Sequence, residues 1–139
     1  MNGSTIVSTE LDLRLVVPDH AAVPLVASLS YRGDDPYAVR MAFHVGTDEP
    51  VEWIFARELL TAGPENLTRD GDVQVWPAAG ADGEVLNIAL SSPFGKALFE
   101  APAAGVAAFV RRTYDLVPAG REGDFADIES EIDELLWQG

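Results

Sequence analysis

Two-residue alternation through the first two-thirds of the chain limits the fold more than any other feature. Leu11, Leu13, Leu15 and Val17 share one side of an extended segment, with Glu10, Asp12 and Arg14 on the other. Val23, Leu25, Ala27, Leu29 and Tyr31 repeat the pattern. So do Tyr37, Val39, Met41, Phe43 and Val45, with Arg40 and His44 facing away. Val51, Trp53 and Phe55 make a fourth run. Side chains alternate across a strand, so this pattern describes half-buried strands of an antiparallel sheet.

Turn chemistry separates the runs. RGDDP at 32–36 and GTDEP at 46–50 supply left-handed positions, Asx-turns and a fixed φ. Asp70-Gly71 and Asp82-Gly83 are hairpin dipeptides that bracket a strand at 73–76 and precede another at 84–91. SPFG at 92–95 turns the chain into a last strand at 96–101. The count is about seven strands between residues 5 and 101.

The stretch VEWIFARELLTAG at 51–63 sets Glu52, Trp53 and Arg57 close together, as an active-site cluster would. Its periodicity argues for packing instead. Trp53 continues the strand and points inward, while Glu52 and Ile54 face the other side. Residues 58–62 favour a short helix, Gly63 can supply a left-handed cap, and Pro64 forbids continuation.

The last third changes period. Pro102 suits a first helical turn, and Val106, Phe109, Val110, Tyr114 and Val117 then recur at helical spacing. Gly105 weakens this helix by about 1 kcal/mol relative to Ala. PAGREG at 118–123 is a linker, and Asp124 can cap a second helix over 124–137. Its apolar stripe is Phe125, Ile128, Ile132, Leu135 and Leu136, beside an acidic face that could dock a basic partner. The expected class is α+β: one domain, with an antiparallel sheet, a short helix and two C-terminal helices. No internal sequence repeat is visible.

Composition narrows the function. The chain has 139 residues, no cysteine and a net charge of −14, which repels phosphate backbones and anionic lipid. Its first residues lack the basic and apolar regions of a secretory signal, and no apolar run is long enough to span a bilayer. His20 and His44 are the only histidines and lack zinc-ligand spacing. Phe94-Gly95-Lys96-Ala97 resembles the end of a phosphate-binding loop, but Leu90 and Ala97 break that motif. No nucleophile elbow occurs. The residues therefore predict no catalytic set, metal or cofactor, and favour a binding protein over an enzyme.

Partner contacts are expected from the aromatic and apolar residues. Trp76 faces opposite to Val73 and Val75, whereas Trp137 ends the last helix near its stripe. Leu86, Ile88 and Leu90 share one face of their strand. Apolar groups on both sheet faces require cover on both, and two helices can cover one. Ile54, Trp76, Leu86, Ile88 and Leu90 are accordingly the candidate oligomer or partner contacts, in a core or between subunits of a homo-oligomer.

ELDLRLVVP, DDPYAVRMAFHVG, VEWIFARELLTAG, GDVQVWP, IALSSPFGKALFEAP and FVRRT occur in this order. Together they resemble the SsgA-like protein family of sporulating actinomycetes, over nearly the whole chain. The resemblance implies a cytoplasmic, non-enzymatic regulator of sporulation-specific cell division at septa. Such a protein would position the tubulin-like FtsZ, promote its assembly and work with SsgA. It also implies a Whirly-like fold and a homo-oligomer, a trimer. Whirly proteins bind single-stranded nucleic acid, which is the alternative reading. The charge of −14 argues that this chain keeps the scaffold without that activity, so no nucleic-acid partner is expected.

Overall fold

The computed structural model describes residues 5–18, 22–44, 49–80, 83–93 and 95–125. Eight strands form one antiparallel sheet. They are β1 (Ile6–Val16), β2 (Val23–Arg32), β3 (Asp35–His44), β4 (Val51–Ala56), β5 (Thr68–Asp70), β6 (Val73–Gly80), β7 (Gly83–Ser92) and β8 (Gly95–Pro102). Helix α1 (Arg57–Ala62) follows β4, and α2 (Ala103–Leu116) follows β8. The order across the sheet is β4-β3-β2-β1-β8-β7-β6-β5. It is two four-stranded meanders, each ending in a helix, joined where β1 meets β8. That join is short. Only Arg14, Leu15 and Val16 pair with Glu100, Phe99 and Leu98, whereas β1 pairs with β2 from Ile6 to Leu15. A repeat absent from the sequence is thus present in the topology. Alternation and turns specify a meander without fixing individual residues.

The sheet curls until it is nearly a barrel. Phe43 on β3 and Phe99 on β8 stack with ring centroids 4.5 Å apart, although β2 and β1 lie between their strands. A flat sheet would separate them by about 14 Å. At the outer edges, the Ala56 N–H donates to Asp70 Oδ2 at 2.7 Å, so a side chain bridges β4 and β5. The concave face holds the core. Leu13, Ala27, Leu29, Val39, Met41 and Val75 are essentially inaccessible to solvent. Helix α2 buries Val106, Phe109 and Thr113 against this face. Gly105 lets the helix approach closely there: a Cβ would lie 2.8 Å from Leu11 Cδ2, and that side chain would have to shift.

Several expectations change. The eighth strand is β5, whose three residues are too few to show alternation. Strand β6 runs to Gly80, beyond the expected 76, and passes through Pro77. Its pairing with β5 ends at Val75, so the missing Pro77 N–H has no partner to lose on that side. Gly63 is right-handed, with φ −54° and ψ −38°, rather than a left-handed cap. Packing demands the glycine: a Cβ would lie 2.5 Å from Val75 Cγ1. Pro102 precedes α2 with extended backbone instead of opening its first turn. Helical backbone resumes at 122–125, so Asp124 lies within it rather than capping it, and the rest of the expected helix over 124–137, Trp137 included, lies outside the described residues. So does His20.

Candidate functional site

The three neighbours Glu52, Trp53 and Arg57 part company in the fold. Glu52 faces outward and pairs with Arg40 at 3.5 Å. Trp53 turns inward and packs against the edge of the core. Arg57, the first residue of α1, is 2% exposed and carries the largest fully buried side chain. Burying a guanidinium demands complete pairing. Its Nη1 donates to the Thr113 and Val117 carbonyls at 3.1 and 2.8 Å, at the negative C-terminal end of α2. Its Nη2 donates to Glu122 Oε2 at 2.7 Å. Tyr114 and Tyr31 present their rings at 3.9 and 4.9 Å. One side chain therefore ties the first meander's helix to the end of the second helix and to the segment beyond it.

The titratable groups around Arg57 respond accordingly. The Tyr31 hydroxyl, which donates to the Pro36 carbonyl at 2.9 Å, is pushed up to about 12 by burial. Glu122 is held below the usual carboxylate range by backbone N–H groups and by Arg57. Sequence reasoning noticed Arg57 without finding this role. Its partners lie 56 to 65 positions away, and no local spacing encodes them.

The candidate contact residues divide between the two faces. Leu86, Ile88 and Leu90 are 1%, 1% and 5% exposed within the chain's own core, because the concave face takes the even positions of β7. They fall to the core side of the expectation, and as contacts to another molecule Leu86 and Ile88 are corrected, whereas Leu90 also edges a depression at one end of the sheet. Ile54 is 53% exposed on the convex face of β4. Trp76 is half-buried on the convex face of β6, and with Leu67 and Gln74 it lines a shallow apolar depression. Beside it in register lies Asn87, whose Oδ1 is buried without a hydrogen-bond partner. Where β1 and β8 splay apart, Glu10, Asp12, Glu84, Glu100 and Arg14 line a cleft of about 450 Å³. His44, also outward, lies 2.8 Å from Ser28 Oγ.

Among the described residues no group of three or more His, Asp or Glu could hold a metal ion. No described helix is long and apolar enough to cross a membrane. The molecule is by class a curled-sheet scaffold: its concave face is filled by its own helices and its convex face is turned outward. Residues 25–122 match the family described as Streptomyces sporulation and cell division protein, SsgA, and the chain belongs to that family. It is 57% identical over 135 residues to the sporulation-specific cell division protein SsgB of Thermobifida fusca, covering 97% of this chain and 98% of that protein. With SsgB of Streptomyces coelicolor it is 47% identical over 133 residues, covering 96% and 97%. The crystal structure of the SsgA-like sporulation-specific cell division protein from Thermobifida fusca superposes with a TM-score of 0.90, covering 96% of this chain and 98% of that one. A Streptomyces coelicolor structure, from work on SsgB mutations that correlate to longitudinal cell division during sporulation, gives 0.86 at 48% identity, covering 90% and 98%. The chain's place is therefore among proteins of sporulation-specific cell division.

Proposed function

We propose that the chain is a non-enzymatic regulator that positions FtsZ at septum sites and promotes its assembly, acting with SsgA as a cytoplasmic homotrimer. The observation that carries this reading is the nearly full-length likeness to SsgB proteins, 57% identical in one case. The convex face adds physical support. It presents the half-buried Trp76 with Leu67 and Gln74 in a shallow apolar depression, and an aromatic in such a setting suits a protein contact. A Whirly-like relationship belongs to the same proposal and is supported by the curved antiparallel sheet. Single-strand binding does not follow from it, because a net charge of −14 opposes a phosphate backbone.

The test is co-sedimentation with FtsZ polymers in GTP. The expected result is that the folded protein enters the polymer pellet and increases pelleted FtsZ, with or without added SsgA. Protein that stays in the supernatant and leaves the polymers unchanged at low and physiological salt, even with SsgA present, would refute the reading.

A further inference from the structure

One end of the curled sheet is built differently from the other. Helix α2 fills the concave face towards Leu11 and Gly33. At the opposite end, where β1 finishes and β2, β4 and β8 begin, Val16, Val23 and Val51 are 37%, 46% and 54% exposed. These are three of the seven large hydrophobic residues exposed among the described residues, gathered at one end of one sheet. A depression of about 280 Å³ opens there between β4 and the β7–β8 hairpin. Its floor is the Phe43–Phe99 stack, and its walls are Val51 and Trp53 on one side and Leu90 and Ala97 on the other. Among the described residues of this lining none is acidic. The one charged residue described there is Lys96, the chain's only lysine, at the lip.

We propose that this mouth receives an apolar side chain of a partner protein whose neighbouring residue is a carboxylate. The volume decides the size of the occupant. Pockets that enclose small molecules are about 300–1,000 Å³ and bury most of the ligand, whereas this one is smaller and open, and fits one aromatic or branched side chain. The aromatic floor favours that chemistry, since stacked rings accept a further ring or aliphatic group. The charge decides the flank. Acidic residues outnumber basic ones 23 to 9 in the whole chain, yet the one charge among the described lining residues is positive. A lysine ammonium on a four-carbon stem can meet a carboxylate at the lip while the apolar group fills the mouth. A basic flank would meet Lys96 as a like charge. The inference does not depend on FtsZ being the partner.

The test uses the full chain and two exposed-site variants, Val51→Asp and Lys96→Glu, with circular dichroism confirming their fold. The probes are two fluorescein-labelled nonapeptides that share a central Phe-Leu, one flanked by Asp and the other by Lys, read by fluorescence anisotropy. The Asp-flanked peptide is expected to bind, and Val51→Asp should weaken it about tenfold or more by placing a charge in an apolar wall. Lys96→Glu should reverse the preference, so that the Lys-flanked peptide binds better. The proposal is overturned if neither peptide binds at millimolar concentration. Equal binding of both peptides to wild type overturns it as well, as does unchanged binding in the two folded variants. Loss of FtsZ co-sedimentation with peptide binding intact would count against the adaptor reading alone.

Discussion

Arg57 concentrates the residue-scale argument. Replacing it with Met keeps the apolar stem but leaves the Thr113 and Val117 carbonyls and Glu122 without their donors. A buried pair broken by removing one partner loses several kcal/mol, and Glu122 is partly solvated, so the expected loss is about 3 kcal/mol in urea unfolding. The same node sets two pH limits. The depressed carboxyl of Glu122 contributes stability in full above the ordinary glutamate value, and that contribution fades as pH falls through the lower folded value. The raised hydroxyl of Tyr31 acts at the other end. Its contribution is complete below the unfolded value of 10.0 and is lost as pH rises towards the folded value of about 12. Glu122→Gln should flatten the acid limb of stability against pH, and Tyr31→Phe the alkaline limb. Either limb surviving its substitution would detach the effect from this node. Little of this was legible in the sequence. An arginine at the start of a short helix reads as surface charge until Thr113, Val117 and Glu122 are brought beside it.

At the scale of elements, period and turn chemistry did most of the specifying. Through the middle of β1 to β4 odd positions point inward as their alternation requires, but Tyr37 is 56% exposed beside the register shift at Tyr31–Arg32, and α2 buries Val106 and Phe109 from its expected stripe. What failed was whatever depended on a neighbour in space. Strand β5 exists because β6 is there to pair with, and its three residues carry no pattern of their own. Gly63 looked like a left-handed cap because glycine usually ends helices that way. Its actual constraint is the Val75 side chain above it, with the Leu59 carbonyl 2.8 Å from a Cβ position. The two explanations predict different responses. For a right-handed backbone with open space, Gly63→Ala would stabilise by up to about 1 kcal/mol. With Val75 in the way, it should destabilise by about 1–3 kcal/mol in chemical denaturation. Val75→Ala costs stability by itself, because Val75 is 0% exposed, but it removes the colliding Cγ1, so the double variant should lose less than the sum of the two single losses.

For the whole molecule, the question is which face remains to bind. The sequence placed apolar residues on both faces of the sheet but could not say which face the helices cover. The curl answers this: α1 and α2 close the concave side, and Leu86, Ile88 and Leu90 go into the chain's own core. Subunit contacts in the proposed trimer are then left to convex-face residues such as Ile54 and Trp76. Light scattering at micromolar concentration should give about 45 kDa, three times the 14.9 kDa chain. The two faces should respond differently to a new charge. Ile88→Asp puts a carboxylate where exposure is 1%, so it should abolish cooperative unfolding altogether. Ile54→Asp alters a residue already 53% exposed, so the fold should persist. If β4 contributes to the interface, the mass should fall towards that of one chain with the circular dichroism spectrum unchanged. A wild-type mass of 14.9 kDa would remove the trimer outright. A folded Ile54→Asp that stays at the full assembly mass, with Trp76→Ala dissociating, would instead assign the contact to β6 and leave β4 free for the division partner.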